Sequence, residues 1–439
     1  MKKKILVISC ISGALETFDF FIYAAFFNVI AATFFPATNK LLSLFMSLSG
    51  FGIAFVMRPL GALIFGYFGD VFGRKQTLSF ALALMGFPTF MIGILPSYDE
   101  IGIISPFLII VGRLIQGICY GGELNGTLIF ALEHTQKKPG FVSGLILSSC
   151  VFGVFVATLL SHVTQLPSMP SWAWRVPFLM GSVIVLVGYF IRKNLTETEA
   201  FLREVSKPTV PFLTTLRTRK AACFLCFSIG ALIGGLFYID FGFLNIYLSR
   251  YCHMSLSDAR EMNIFSILSF ILASPFFGIL YDRMTLKMHT SSFLRRMSYG
   301  LFFGIFPVFW MIISPHPLLS LLGITTLGIC TASVSAVGFP VMQNLFSVRE
   351  RYRGISLFYS LGVVLSGGMA PILYIEAIEV HKESLMFPAY CLMCLVGLFY
   401  GALLIYNAAE ASSSIKIQDQ DDLSDQDDRL PARQVTRGG

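Results

Sequence analysis

Six ionisable residues lie inside long apolar runs of this sequence, where an ionised side chain costs roughly 2.5–3.5 kcal/mol even on a lenient membrane-insertion scale. A chain that keeps several such residues needs a chemical reason for them. We therefore take them as the first candidates for a functional site. They are Glu16, Asp19, Arg58, Arg113, Glu123 and Asp240.

Two of these carboxyl groups, Glu16 and Asp19, are three residues apart, a spacing that places them on one face of a helix. Phe20 and Tyr23 extend roughly the same face by one turn. Two carboxyl groups so close cannot both ionise cheaply in a low dielectric, so we expect one to hold a proton near neutral pH. Proton coupling requires such a group. The alternative is that one carboxylate only neutralises a buried arginine.

Arg113 is the strongest candidate for contact with a substrate. It lies about ten residues into its apolar run, hence roughly 15 Å deep at 1.5 Å per residue. A planar guanidinium at that depth can hold a carboxylate through two parallel hydrogen bonds, and a permanent structural ion pair is the alternative. The sequence allows two roles for Arg58: it could pair with a carboxylate of the first helix, or it could contact a substrate.

Aromatic residues near these charges could form a cage for a quaternary amine, because a cation binds over the face of an aromatic ring. Tyr23, Tyr120, Tyr238 and Trp310 are the candidates, but aromatic residues make up 14% of the chain, so ordinary packing explains any one of them. Asp240 is either a substrate contact or a hydrated residue near the outer surface.

The composition predicts a protein whose solvent is lipid. The chain has 439 residues, of which 55% are hydrophobic and 13% are charged, whereas a soluble chain carries roughly 25% charged residues. The net charge of +7 does not indicate nucleic-acid binding, because the basic residues fall between the apolar runs. The Cys223–Cys226 and Cys391–Cys394 spacings lie within apolar runs and are interpreted as packing residues. We expect no cofactor and no metal.

Twelve apolar runs are long enough for membrane helices, which need roughly 20 residues each. Lys and Arg are concentrated in alternate loops and both termini, which predicts that both termini are cytoplasmic; Arg192, Arg349, Arg351 and Arg353 are interpreted as such loop charges. The predicted helices are 11–34, 41–68, 76–96, 103–131, 141–165, 174–191, 221–248, 260–281, 298–314, 318–345, 355–376 and 387–407.

An internal repeat divides these helices into two halves. Gly66 and Asp70 end the second helix with a Gly-x-x-x-Asp pattern, and Gly278 and Asp282 end the eighth in the same way, 212 residues later. We predict an all-α membrane protein with two six-helix repeats. The predicted boundaries are 1–192 and 221–408 for the helical bundles, 193–220 for a linker, and 409–439 for a disordered acidic tail.

Eight short segments of the chain form recognisable motifs: Glu16–Phe20, Arg58–Gly61, Gly66–Lys75, Arg113–Gly117, Gly121–Glu123, Trp172–Phe178, Glu197–Phe201 and Phe387–Tyr390. Together they resemble the metabolite:proton symporters of the major facilitator superfamily, in particular its proline/glycine-betaine transporters. The resemblance covers the chain up to about Tyr406 and is most specific in the first half.

The resemblance implies uptake of a small polar metabolite by proton symport across the inner membrane, with no catalysis. It adds Gln116 to the substrate-binding candidates Arg113, Arg58, Phe20, Tyr23 and Tyr120, and Glu123 to the proton-coupling candidates Glu16 and Asp19. Asp70, Arg74, Lys75 and Asp282 are gating candidates, since Asp70 can accept from a helix N-terminus and pair with basic residues of the other half. The expected partners are a substrate, protons and lipid, without nucleic acid, and the chain is expected to be a monomer.

Two other functions compete with uptake. Efflux by proton antiport is disfavoured because the fifth helix, from Gly144 through Gly153, has no proline and so lacks the Gly-Pro motif of such carriers. A non-transporting membrane sensor is disfavoured because it would have no need for the embedded charges. No grouping of Ser, His and Asp or of metal ligands indicates an enzyme.

Overall fold

The structure is a computed structural model that describes residues 2–35, 40–135, 137–193, 195–204, 212–368, 370–379 and 384–427. Its secondary structure among these residues is helical, with turns and short irregular segments between twelve long helices. They are α1 (Lys2–Ala25, continued by Phe27–Phe34), α2 (Lys40–Val71), α3 (Arg74–Ile94), α4 (Ile104–His134), α5 (Pro139–Thr164), α6 (Arg175–Lys193), α7 (Lys220–Arg250), α8 (Leu256–Met284), α9 (Thr290–Ile312), α10 (Pro317–Leu345), α11 (Arg351–Glu379) and α12 (Phe387–Asp427).

Ten of these helices are long and apolar enough to cross a membrane, and the chain is a multi-pass membrane protein. The other two complete the set of twelve: α6 has a shorter apolar stretch, Arg175–Phe190, and α9 begins with two exposed arginines, Arg295 and Arg296. Large apolar side chains cover the outside of the bundle, as a lipid solvent requires. Examples are Phe80, Phe87, Phe107, Phe152, Phe190, Leu272, Phe276 and Phe303.

Some helix ends differ from the sequence-based boundaries. The first helix begins at Lys2 instead of near residue 11, and α9 begins at Thr290 instead of near residue 298. The last helix continues to Asp427, so it includes the first part of the tail that was expected to be disordered. Residues 205–211 of the expected linker and 428–439 of the tail lie outside the described residues. The residues added to α9 and α12 are mostly polar or charged and carry no hydropathy signal, whereas those added to α1 include the apolar residues Ile5–Ile8, which the predicted boundary omitted.

The largest contacts between the two halves are made by α2 with α11 and by α5 with α8, and α5 also contacts α10. Glycines allow the backbones to approach: a methyl group on Gly278 would overlap the carbonyl of Gly140, and one on Gly66 would overlap the backbone of Arg353. Gly278 and Gly66 are the glycines of the two repeated Gly-x-x-x-Asp patterns. Successive helices run antiparallel, so α2 and α8 end at the face where the chain begins, which we call the terminal face.

Candidate functional site

Arg113 lies on α4 with its side chain completely buried. Its Nη1 donates a hydrogen bond to Gln116 Oε1 at 2.8 Å, one turn further along the same helix. Its guanidinium lies over the rings of Tyr23 and Phe20 from α1, 4.3 Å and 4.9 Å from their centroids. The aromatic face of α1 and the polar face of α4 therefore enclose this arginine.

Gln116 joins Arg113 to a carboxyl group. Its Nε2 donates to Thr89 Oγ1 on α3 at 2.7 Å and to Asp19 Oδ2 on α1 at 3.4 Å. Asp19 is completely buried, and its Oδ1 has no hydrogen-bond partner among the described residues. Arg113, Gln116, Asp19, Phe20 and Tyr23 thus form one group, which we call the central site.

Arg58 extends the central site to the second half of the chain. Its Nη1 donates to the hydroxyl of Tyr238 on α7 at 3.2 Å, and its guanidinium lies 4.8 Å from the ring centroid of Tyr120. Tyr120 stacks on Phe20, with 4.2 Å between ring centroids. No carboxylate among the described residues lies within ion-pair distance of Arg58, so the structure does not support its pairing with α1.

The proposed aromatic cage is only partly present. Tyr120 and Tyr238 both contact Arg58, whereas Tyr23 contacts Arg113, so each of these tyrosines already contacts one of the protein's own arginines. Trp310 lies on α9 and is 59% exposed, so the prediction that it could contribute to a cage is wrong. Sequence alone cannot show which face of α9 a tryptophan occupies when the whole helix is apolar.

A second buried group contains two of the proton-coupling candidates. Glu16 on α1 and Glu123 on α4 both contact the guanidinium of Arg192 on α6, at 2.5 Å and 2.7 Å. The hydroxyl of Thr127 donates to Glu16 Oε1 at 2.9 Å, and Arg192 Nε donates to Ser12 Oγ at 2.9 Å. We call Glu16, Glu123 and Arg192 the carboxylate triad.

The triad corrects two interpretations of the sequence. Glu16 is grouped with Glu123 and not with Asp19, because Arg192 contacts both glutamates, whereas Asp19 contacts Gln116, two turns before Glu123 on α4. Arg192 is not a loop charge: it is 4% exposed and lies inside the bundle. The only sequence signal for it was that it follows the apolar residues Phe190 and Ile191 without a break.

At the terminal face, Asp70 contacts the first residues of α11. Its Oδ1 accepts from the backbone N–H of Tyr352 at 3.2 Å, and its Oδ2 accepts from that of Arg353 at 3.1 Å. Arg74 Nη2 lies 3.4 Å from Asp70 Oδ1. A carboxylate at a helix N-terminus satisfies free N–H groups and complements the helix dipole.

Glu133 at the end of α4 completes this contact. It lies 3.5 Å from Arg74 and 2.9 Å from Arg351. Arg349 and Arg353 are also buried, at 6% and 7% exposure. Arg349, Arg351 and Arg353 therefore pack between the two halves, and their interpretation as simple loop charges is wrong.

Asp282 makes the corresponding contact in the opposite direction. Its Oδ1 and Oδ2 accept from the backbone N–H groups of Gly140 and Phe141, at 2.8 Å and 2.9 Å, at the start of α5. Each half thus supplies one aspartate that binds a helix N-terminus of the other half. The gating candidate Lys75 makes a contact of another kind: its backbone N–H donates a hydrogen bond to Glu197 Oε2 at 3.0 Å.

Asp240 is completely buried, which excludes the hydrated position near the outer surface. Its Oδ1 accepts a hydrogen bond from the hydroxyl of Ser266 on α8. Among the described residues, no three His, Cys, Asp or Glu side chains are placed to hold a metal ion.

Comparison with known proteins gives the family. The model of the Major Facilitator Superfamily matches residues 9–371. The chain is 28% identical to the proline/betaine transporter of Escherichia coli K12 over 421 residues, which are 92% of this chain and 83% of the relative. It is equally similar, with the same coverage, to the glycine betaine/proline/ectoine/pipecolic acid transporter OusA of Dickeya dadantii.

Solved structures agree on the fold. The proton:xylose symporter XylE superposes with a TM-score of 0.72 at 14% identity, over 92% of this chain and 95% of XylE. The human organic anion transporter MFSD10 superposes with a TM-score of 0.65 at 16% identity, over 92% of this chain and 99% of MFSD10. With twelve helices in two repeated halves and a family match over most of its length, the chain is a membrane transporter of a small molecule and belongs to the Major Facilitator Superfamily.

Proposed function

We propose that this transporter takes up a small zwitterion or carboxylate together with protons across the inner membrane, with both termini in the cytoplasm. The observation that carries the proposal is the carboxylate triad. Two buried carboxyl groups share one guanidinium, so the group has a net charge of −1 when all three are ionised and is neutral with one bound proton. Burying an uncompensated charge is costly, so this group favours binding a proton.

The triad also has room for that proton. Glu16 Oε2 and Glu123 Oε2 are buried and have no hydrogen-bond partner among the described residues. A small cavity lies beside Arg192, lined also by Ser9, Ser12 and Lys75. Lys75 stands at the start of α3, on the terminal face, and we propose that a water in this cavity exchanges the proton with the triad.

The central site has the opposite charge and therefore suits an anionic group. Arg58 and Arg113 contribute two positive charges, and Asp19 contributes at most one negative charge. A carboxylate of the substrate would bind between the two guanidiniums, where charge-assisted, bidentate hydrogen bonds are strongest. The named relatives carry proline and betaines, and each of these molecules has one carboxylate. Gln116, Phe20, Tyr23 and Tyr120 would then shape the site around that group.

The contacts at the terminal face support alternating access. Asp70 and Asp282 fix the two halves together there, and Glu133, which contacts both Arg74 and Arg351, reinforces the contact. Breaking both contacts would open the terminal face, and forming them would close it, as in rigid-body exchange between two repeats. The concentration of Lys and Arg in alternate loops supports a cytoplasmic terminal face.

The test is transport by the purified full-length protein in proteoliposomes. Labelled proline, betaine and di- and tricarboxylates are offered with and without an inward proton gradient. We expect accumulation of at least one of them only with the gradient, and its loss on addition of a protonophore. Uptake that is unchanged at zero proton-motive force would refute proton coupling, and outward movement driven by the same gradient would indicate antiport.

Matched variants connect that result to the triad. Glu123→Gln should abolish accumulation but leave exchange of internal for external substrate, because exchange needs no net proton movement. Glu100→Gln is the control, since Glu100 is exposed in the loop between α3 and α4 and should transport normally. Full accumulation by Glu123→Gln would remove the triad from the coupling mechanism.

A further inference from the structure

Asp240 lies in an irregular part of α7. A π-helical turn, Ile239–Phe243, interrupts this helix between Tyr238 and Leu244. The carboxyl group points to two other helices: the hydroxyl of Ser266 on α8 donates to its Oδ1 at 2.5 Å, and the buried hydroxyl of Thr331 on α10 lies beside it. π-helical turns are rare and often mark functional positions.

No positive charge balances this carboxyl group among the described residues. The helices that pack on the π-helical turn are α8, α10 and α11. Their nearby titratable side chains are Cys330 on α10 and Tyr374 on α11, and neither carries a positive charge. Arg250, at the end of α7, is paired with Glu379.

The physical consequence is that Asp240 should be neutral in this conformation. An unpaired carboxylate in a low dielectric costs several kcal/mol, and such a group takes up a proton instead. Its Oδ2 is buried without a hydrogen-bond partner among the described residues, which leaves a place for that proton. Asp240 therefore differs from the triad, where an arginine compensates one of the two carboxylate charges.

The position of Asp240 also connects it to the central site. Tyr238, two residues earlier, accepts the hydrogen bond from Arg58 of the other half. In α1, the break at Phe26 precedes Tyr238 by 212 residues, the same offset that relates Asp70 to Asp282. The first helix of each half is thus interrupted at an equivalent level. Any movement between Arg58 and Tyr238 acts directly on the π-helical turn.

We propose that Asp240 is a second proton-binding site, located in the C-terminal half, which holds a proton in this conformation and releases it when α7 moves against α8 and α10. This inference rests on the proposed proton-coupled transport. It predicts that each half of the transporter carries its own protonatable carboxyl group, the triad in the first half and Asp240 in the second.

Difference infrared spectroscopy of the purified full-length protein tests proton binding without any transport. A protonated carboxyl group has a C=O stretching band that a carboxylate lacks. A protonated triad contributes a band of the same kind, so we expect one component of this absorption near neutral pH to be lost in Asp240→Asn and retained in Asp258→Asn, whose aspartate is exposed in the first turn of α8. Ser266→Ala should shift the band without removing it, and this variant covers the case in which Asp240→Asn does not fold. An unchanged band in both Asp240→Asn and Ser266→Ala would overturn the proposal.

Transport then tests the role of that proton. Asp240→Asn should lose gradient-driven accumulation and keep substrate exchange. The control Asp258→Asn should show both accumulation and exchange. Normal accumulation by Asp240→Asn, or accumulation that follows a sodium gradient and not a proton gradient, would also overturn the proposal. If the unmodified protein shows no proton-driven transport, the proposed function fails, while the infrared band still decides whether Asp240 holds a proton.

Discussion

Replacement of Arg192 by alanine gives the sharpest test of the carboxylate triad. The change leaves Glu16 and Glu123 buried without the guanidinium that both contact. It also removes hydrogen bonds to Ser12 Oγ at 2.9 Å and to the carbonyl of Leu78 at 3.1 Å. Removing one partner of a buried ion pair costs roughly 3–5 kcal/mol, because the remaining charge is uncompensated. We expect the free energy of unfolding to fall by about that amount.

Thermal unfolding in detergent, followed by tryptophan fluorescence or calorimetry, measures the effect. For a cooperative unit of roughly 200 residues, the loss corresponds to a melting temperature lower by roughly 6–20 °C. The control is Arg203→Ala, which removes an exposed arginine 3.3 Å from Glu199. Exposed pairs contribute about 0–1 kcal/mol, so this variant should melt almost as the unmodified protein does. Equal melting of the two variants would refute the buried position of Arg192.

A variant that lacks all three charges of the triad distinguishes the triad's effect on stability from its effect on proton coupling. Arg192→Met combined with Glu16→Gln and Glu123→Gln removes every charge of the triad. Neutral replacement of a buried ion pair is often harmless to stability, so most of the lost stability should return. Proton-driven accumulation should nevertheless remain absent. Continued low stability of the triple variant would show that Arg192 acts through packing and not through charge.

Three further predictions concern the central site and the contact between the halves. Arg113→Lys should weaken substrate binding by about 10- to 100-fold, because a point charge cannot replace a bidentate guanidinium; calorimetry measures this, and unchanged affinity would exclude Arg113 from the site. Asp70→Asn and Asp282→Asn should each destabilise the conformation with a closed terminal face by about 0.5–2 kcal/mol. Transport assays should then show an altered turnover rate with little change in substrate affinity. A large loss of affinity with normal melting would contradict this role. Gly278→Ala should disfavour the close packing of α5 and α8 by about 1–3 kcal/mol, which spin-label distances across the terminal face would report as opening; Gly300→Ala, with no atom within 4 Å of the added methyl group, should leave those distances unchanged.

The membrane class, most helix positions and the two-fold repeat could be predicted from the sequence. Hydropathy is a local property that adds along the chain, so a run of apolar residues identifies a membrane helix without knowledge of its neighbours. The repeat was visible because Gly66 and Asp70 recur as Gly278 and Asp282 at the same place in each half. The embedded charges could be selected for the same reason, since each stands out against its own apolar run.

The partners of those charges were decided only by the tertiary structure. Spacing along a helix relates residues within one or two turns, whereas Arg192 lies 176 residues from Glu16 and Asp70 lies 282 residues from Tyr352. The packing of α1 against α4 places Gln116, and not Arg113, in hydrogen-bond contact with Asp19 Oδ2. The packing of α9 leaves Trp310 exposed on the outside of the bundle. A sequence shows that a buried charge needs a partner, but which helix supplies that partner depends on how twelve helices of similar apolarity pack together.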